Sequence, residues 1–281
     1  MTISVLLVVL CGALAHAIWN VLVKSGGDTQ LTAAAVYGGA GVIAALVLPF
    51  LPQPAPASWP YLAASTVTEL LYGVLLAAAY RVGDLSHAYP LMRGAAPLLI
   101  ALGSGALLGE PLSPAVWAGV GLVSCGILST ILDARAQRHS AAATRLALLN
   151  ACVIATYTTL DGLGVRASGA AFAYSFWLSA LTGAPWLIWA SIRLRRTPPH
   201  QLRRWSVPLV IGGACSLISY TLALWAMTRA PVAAVAAVRE TAIVFATVLG
   251  AFVLRERVSW VRALAAVAIV LGVCAIRGGA R

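Results

Sequence analysis

The chain has 281 residues, of which 61% are hydrophobic and only 10% are charged, and its formal net charge is +11. Soluble domains carry about 25% charged residues, so this composition excludes a soluble enzyme and a soluble nucleic-acid-binding domain. The apolar residues form runs of about 17 to 23 residues, long enough for a helix to cross a hydrocarbon core roughly 30 Å thick. The sequence therefore predicts an all-α integral membrane protein.

The apolar runs predict about ten transmembrane helices, joined by short polar connections that leave no room for a separate catalytic domain. We do not expect a cleaved signal peptide, because no basic segment precedes the first run and polar residues recur on one of its faces. In chain order the predicted helices cover residues 3–23, 32–51, 60–80, 86–108, 114–132, 146–166, 171–191, 207–227, 232–254 and 260–276.

The positive charge lies mainly at the predicted membrane edges. This placement indicates topology signals and contacts with anionic lipid headgroups rather than a nucleic-acid surface. The connections after the fifth and seventh helices are the richest in Lys and Arg, and the second of them holds Arg193, Arg195, Arg196, Arg203 and Arg204. By this bias both connections face the cytoplasm, and both termini then lie outside.

Motifs of enzymatic chemistry are absent from the sequence. It contains no GxxxxGK[ST] phosphate loop, no dinucleotide-binding fingerprint and no GxSxG nucleophile elbow. The four histidines are scattered, and the five cysteines lie in apolar runs without metal-ligand spacing. We therefore expect no enzymatic activity, no cofactor, no metal and no ATP-driven transport by this chain alone.

The chain contains an internal duplication. Arg93 and Arg239 lie 146 positions apart, and Glu110 and Glu256 are separated by the same interval. The interval also relates two further pairs, Ser113 with Ser259 and Gly126 with Gly272. The sequence thus predicts two five-helix halves, residues 1–135 and 145–281. Because five is odd, the halves enter the membrane from opposite sides, as inverted repeats related by a pseudo-two-fold axis in the membrane plane.

Helix-breaking residues differ between the two copies. In the stretch "HAYPLMRGAAP", Pro90, Gly94 and Pro97 surround Arg93, whereas the stretch before Arg239 contains only Pro231. Interrupted helices at corresponding places in two repeats are the usual sites of substrate binding in transporters. The sequence therefore predicts an interrupted fourth helix and a straighter ninth helix.

Arg93 and Arg239 each lie about seven residues from the start of a predicted helix, or about 10 Å deep at 1.5 Å per residue. A charge near the bilayer centre costs at least about 2.5–3.5 kcal/mol, so each side chain should face the bundle interior. Two roles remain open at this point. The arginines bind the substrate directly, or they form internal ion pairs: Arg239 with Glu240 or Asp161, and Arg93 with Glu69.

The first helix carries a polar stripe, since His16, Asn20 and Lys24 are four residues apart. His16 titrates near neutral pH, so it either carries a coupling proton or makes an interhelical hydrogen bond. The Asn20 amide would serve a substrate or a neighbouring helix equally well, and Lys24 can reach the interface.

Further polar and aromatic residues occur inside the predicted helices. Glu69, near Tyr72, and Asp161, near Tyr157, are candidates for proton coupling or for pairing with the arginines. Tyr89, Tyr220 and Trp225 either line a cavity or pack between helices. Glu110 and Glu256 stand at helix ends, where a hydrogen-bonded corner of the hairpin is the expected role.

The motifs "HAIWNVLVK", "LLGEPLS" and "VLRERVS", together with two five-helix halves, resemble the EamA family of the drug/metabolite transporter superfamily. The second copy departs from the glycine-glutamate pattern, with Arg255 in place of the glycine. The resemblance implies a ten-helix inverted-repeat carrier with cytoplasmic termini, the opposite of the orientation that the loop charges indicate. It leaves the cargo open among amino acids, nucleotide sugars, triose phosphates and drugs. The segments "HAIWNVLVKSGGD" and "AYPLMRG" resemble members associated with phosphonate use.

These observations predict a secondary transporter of a small polar metabolite with an anionic group, such as an amino acid, organic acid or phosphonate. Guanidinium groups bind carboxylate and phosphonate bidentately. The expected surroundings are a bacterial inner membrane, with the lipid bilayer, the substrate and a coupling proton as partners, no nucleic acid, and a monomer or homodimer. The alternatives are an exporter of hydrophobic cations, using Glu69 or Asp161, and a flippase for a lipid-linked phosphate.

Overall fold

The computed structural model describes residues 1–82, 85–133, 140–195, 197–198, 202–253 and 258–279. All regular structure in these residues is helical, which confirms the predicted fold class. The helices are α1 (Ile3–Ser25), α2 (Thr29–Val47), α3 (Trp59–Val82), α4 (Leu85–Leu108), α5 (Pro114–Ser129), α6 (Ala141–Ser168), α7 (Ala171–Leu194), α8 (Gly213–Met227), α9 (Val232–Arg239), α10 (Thr241–Val253) and α11 (Trp260–Gly279).

Local capping residues set the ends of several helices. Asp28 begins α2, because its Oδ1 accepts the Leu31 N–H at 3.0 Å, and Ser140 begins α6 by accepting the Ala143 N–H at 3.4 Å. The Ser140 cap explains why α6 starts at Ala141 rather than at the predicted residue 146. Gly169 ends α6 in the left-handed conformation, with φ of +63°, and so permits the short turn into α7.

Nine helical segments of the described chain are long and apolar enough to cross a membrane. The segment Val232–Phe252 counts as one of them and comprises α9 and most of α10. Helix α7 is not one of these nine segments, but it has 24 residues and packs along α2. With α7, these helices correspond to the ten predicted spans.

Helix continuity differs from the prediction in both copies. Helix α4 runs unbroken through Pro90 and Pro97, whereas the ninth span is divided at Glu240 into α9 and α10, so the expectation of a straighter ninth helix is wrong. The Glu240 N–H bonds to the Ala237 carbonyl at 3.1 Å, and the Thr241 hydroxyl bonds to the Val238 carbonyl at 2.8 Å. These bonds span three residues instead of four and tighten the helix locally.

Helix α9 lies at the centre of the bundle. Every residue from Val232 to Val238 is buried, and none exposes more than 6% of its surface. The segment contains only Ala and Val, whose small side chains allow α1, α4, α5, α6, α8 and α11 all to contact it. The central helix therefore carries Arg239 and Glu240 at its end, between the two halves.

The helices pair across the predicted halves in a regular way. In the predicted halves α1 is equivalent to α6, α3 to α8, and α4 to the ninth span. The contact of α1 with α8 is matched by the contact of α6 with α3. The contact of α1 with the ninth span is matched by the contact of α6 with α4. Two further cross-half pairs, α2 with α7 and α5 with α11, join helices at equivalent places in the two halves. The pairing is unchanged when the halves are exchanged, which is what a two-fold relation requires.

Close glycine contacts show the direction of one of these pairs. A Cβ atom on Gly119 of α5 would lie 2.6 Å from the Gly272 carbonyl oxygen of α11, and one on Gly126 would lie 3.0 Å from the Ala265 carbonyl oxygen. Residue numbers rise along α5 as they fall along α11, so the two helices are antiparallel. The interval of 146 relates Gly119 to Ala265 and Gly126 to Gly272, so it exchanges the two contacts. Small residues allow such close approach in membranes.

We expect Gly119→Leu to weaken this interface, because the added side chain overlaps the α11 backbone, and overpacking costs about 1–3 kcal/mol. Gly121→Leu is the matched control, since a Cβ at Gly121 meets no atom within 4 Å. Thermal unfolding of the purified protein in detergent should show a lower Tm for Gly119→Leu alone. Equal Tm values for the two variants would contradict the close packing of α5 on α11.

Candidate functional site

A buried ion pair joins the two halves of the bundle. Arg93 Nε donates to Glu240 Oε2 at 3.1 Å, and Arg93 Nη2 lies 2.9 Å from Glu240 Oε1. The two side chains are only 11% and 8% exposed. This two-point contact is the strong geometry of a guanidinium with a carboxylate. Neither of the pairings expected for these residues forms: Arg93 is not bridged to Glu69, and Glu240 is not bridged to the adjacent Arg239.

Asp161 of α6 is fully buried and held by two tyrosines. The Tyr174 hydroxyl donates to Asp161 Oδ1 at 3.2 Å, and the Tyr220 hydroxyl donates to Asp161 Oδ2. Both donors come from the second half, from α7 and α8. Asp161 is therefore fixed by neutral hydrogen-bond donors, and among the residues described here it forms no ion pair.

Arg239 has a different environment from its partner in the duplication. Its guanidinium carbon lies 5.0 Å from the centroid of the Tyr220 ring, a cation–π contact. The side chain is half-buried, and within the described parts of the chain it makes neither an ion pair nor a hydrogen bond. Glu69 and Asp161 interact with it electrostatically without contacting it. Its N–H donors are therefore available to a bound group.

His16 and Asn20 lie on the face of α1 that points toward the arginines. The charged neighbours of His16 are Arg93 and Arg239, and its ring packs edge-on against Trp19 at 4.8 Å. Asn20 Nδ2 donates to the His16 carbonyl oxygen at 2.8 Å, so part of its amide is used within its own helix. His16 thus belongs to the charged centre, while Asn20 stands beside it.

Aromatic rings from α1, α2 and α7 contact one another. Tyr37 stacks on Trp186 at 5.7 Å and meets Trp19 edge-on at 5.7 Å; we call these three residues the aromatic wall. Sequence reasoning missed Tyr37 and Trp186, because an aromatic residue in the middle of an apolar span has no pattern that separates lining from packing. Two further rings, Tyr72 and Tyr157, meet at 6.0 Å.

The two remaining aromatic candidates have different positions. Tyr89 interacts electrostatically with Arg93 and Glu240, which places it in the charged centre. Trp225 stands five residues beyond Tyr220, near the end of α8, and its ring receives the Arg229 guanidinium at 5.2 Å. The structure therefore groups Tyr89 with the central residues and Trp225 with the membrane edge.

Both arginines border one water-accessible region between the halves. Arg93, Arg239, Glu240, Tyr157 and Thr158 line a common cavity. The half-buried side chains His16, Glu69, Tyr72 and Tyr89 interact electrostatically with one or both of these arginines, and Tyr220 contacts Arg239. We call this region the central chamber.

Glu110 closes one end of the bundle through contacts between the halves. Its Oε2 accepts the Val232 N–H at 2.9 Å, and its Oε1 pairs with Arg166. Arg166 also donates to the carbonyl oxygens of Met227 at 2.8 Å and Ala230 at 3.2 Å. We call these contacts the edge network. Glu110 was expected to hold only its own hairpin; its counterpart Glu256 lies outside the described residues.

The Arg93–Glu240 pair should be worth more to stability than Arg239. Removing one partner of a buried pair leaves an uncompensated charge and costs about 3–5 kcal/mol. Glu240→Gln should therefore lower Tm by more than Arg239→Met, whose residue forms no described ion pair. The double variant Arg93→Met with Glu240→Met should lose less stability than the sum of the losses of Arg93→Met alone and Glu240→Met alone. Additive losses in that cycle would mean that the two side chains act independently.

Comparison with known proteins agrees with this architecture. Residues 143–278 match the profile of the EamA-like transporter family, over nearly the residues of the predicted second half. A solved crystal structure of a protein 20% identical in sequence superimposes with a TM-score of 0.73, covering 96% of this chain and 98% of the other. No curated protein matches the chain in sequence. Residues 143–278 therefore belong to the EamA-like transporter family, which is part of the drug/metabolite transporter superfamily.

Proposed function

We propose that this chain is a secondary transporter that carries a small polar metabolite with an anionic group across the membrane. The observation that carries the proposal is Arg239, a half-buried guanidinium in the central chamber whose N–H donors are unused within the described residues. Arginine is the expected residue for binding a carboxylate, phosphate or phosphonate. A substrate anion would supply the partner that the protein does not.

Alternating access would arise from movement of one half against the other around the chamber. Residues 1–135 and 145–281 are the two moving halves in this proposal. The edge network has to break for one side to open, because Glu110 ties the first half to Arg166 and Val232 of the second. The break at Glu240 gives the ninth span a point at which it can bend.

The carboxyl groups of Glu69 and Asp161 are the proposed sites of a coupling proton. Asp161 is fully buried, and Glu69 interacts with it electrostatically. Intramembrane acids of this kind form the proton relays of pumps and transporters. His16, which interacts electrostatically with both arginines, is a third candidate. The proposed location is a bacterial inner membrane, in which the chain acts as a monomer or homodimer.

One observation favours a second candidate, the export of hydrophobic cations. Neither Glu69 nor Asp161 is ion-paired within the described residues, and aromatic rings that can contact a cation lie nearby. An exporter of this class would bind its substrate through these acids and would not need Arg239. The two candidates therefore differ in which charge is essential.

A thermal-shift screen of the purified protein tests the choice. Amino acids, organic acids, phosphonates and sugar phosphates should include a stabilising class, and cationic dyes should not stabilise the protein. Arg239→Gln should weaken that binding about 10- to 100-fold, as expected for the loss of charge-assisted hydrogen bonds. Arg229→Gln, which changes an exposed arginine beside Trp225, is the matched control and should bind normally. Stabilisation by cations or lipids alone would refute the anion proposal.

A further inference from the structure

We propose that Asn150 lines the route by which water and substrate pass between the central chamber and the membrane face at which α4 and α6 begin. This inference rests on the proposed function and adds to it a pathway and a residue of that pathway. Three observations carry it: a seam between the halves that leads from the chamber to this face, the position of Asn150 in that seam, and the hydrogen bonding that its amide lacks there.

Helices α4 and α6 form a parallel seam between the two halves. Near the start of both helices, His87 Nε2 lies 3.0 Å from the Thr144 hydroxyl oxygen. Just beyond the end of α4, Glu110 pairs with Arg166 of α6. The partners of these contacts are 57 and 56 positions apart, so residue numbers rise together along the two helices. Thr158, between the two contacts, lines the chamber cavity. The seam therefore runs past the chamber and is closed by a polar contact at each end.

Asn150 stands in this seam, between the chamber and the start of the two helices. Ile154 and Thr158 follow it by four and eight residues, share its face of α6, and line the chamber cavity. Across the seam, Asn150 Nδ2 donates to Met92 Sδ of α4 at 3.5 Å. The amide thus adjoins the cavity and faces the opposite half.

The closed seam leaves the Asn150 amide almost without hydrogen bonds. The side chain is fully buried, its Oδ1 has no hydrogen-bond partner among the described residues, and the Met92 sulfur is a weak acceptor. Burying an amide in this way is unfavourable. Aligning α1 with α6 so that Asn20 matches Asp161 puts the buried, apolar Val9 at the equivalent position of the first half, so the fold does not require an amide there.

Opening of the seam would supply the partners that the amide lacks. When the His87–Thr144 contact breaks and α4 separates from the start of α6, water reaches Asn150 and continues to the chamber. The amide offers both donors and an acceptor and carries no charge. It can therefore hydrogen-bond a small polar substrate in passage without competing with Arg239 for an anionic group.

The accessibility of a cysteine at this position tests the inference. Asn150→Cys, in an otherwise cysteine-free full chain in sealed vesicles, is treated from either side with a charged, membrane-impermeant methanethiosulfonate. Ser206→Cys marks the face at which the even-numbered spans begin, and Ala57→Cys marks the other face, since both positions are exposed. We expect Asn150→Cys to be labelled from the Ser206 face. Val36→Cys, fully buried at a similar distance from the start of α2, is the matched control and should not be labelled.

A second variant separates a pathway role from a packing role. Asn150→Leu keeps the branched shape and removes the polar atoms, so the Tm should not fall. In the Tyr89→Cys background, Asn150→Leu should slow labelling from the Ser206 face about tenfold or more, as expected for the loss of a hydrogen bond that forms only in the open seam. Labelling from the Ala57 face should not change, and Asn150→Ser should retain most of the parent rate.

The outcomes distinguish this inference from the proposed function. If Tyr89→Cys is labelled from the Ser206 face but Asn150→Cys is not, the chamber opens by another route; the inference fails and the transporter stands. A lower Tm for Asn150→Leu with unchanged labelling of Tyr89→Cys would assign Asn150 to packing and would likewise overturn the inference alone. Labelling of neither cysteine from either face would overturn both.

Discussion

Arg93 and Glu240 are two charged side chains held out of water, and neither would be stable in the protein interior without the other. Isolating one ion in a protein interior costs several kcal/mol even after relaxation, and here each ion compensates its partner through a two-point contact. Because the pair joins α4 of the first half to the centre of the ninth span, it fixes how the halves meet. The break in the ninth span lies at Glu240, one partner of this pair, and the adjacent Arg239 forms no ion pair among the described residues.

The duplicated arginines have diverged in role under this constraint. Symmetry would give both copies the same partner, but the position after Arg93 holds Gly94, whereas the position after Arg239 holds Glu240. One acid therefore serves the arginine of the opposite half, and Arg239 is left against the face of Tyr220. A pseudo-symmetric scaffold thus produces an asymmetric site, with a neutralised arginine on one side and an available arginine on the other. Asymmetry of this kind can orient a substrate that has two different ends.

The fold was largely predictable because membrane crossing demands long apolar runs and polar groups that face inward. The interval between Arg93 and Arg239 was sufficient to suggest the two halves, and the antiparallel contact of Gly119 with Gly272 agrees with it. Partners in the site were not predictable, since sequence gives the depth of a side chain but not the rotation of its helix. Helix breaks were predicted in the wrong copy, because hydrogen bonding around Glu240 outweighed the count of prolines.

The proposed mechanism requires the central chamber to open to each side of the membrane in turn. Its most direct test is the reactivity of Tyr89→Cys, in a cysteine-free background, toward a membrane-impermeant thiol reagent applied to either face of sealed vesicles. The account predicts labelling from both faces and protection by bound substrate, with no labelling of Val235→Cys in the packed centre of α9. Labelling of Tyr89→Cys from neither face would show a closed core at this position and would contradict the account.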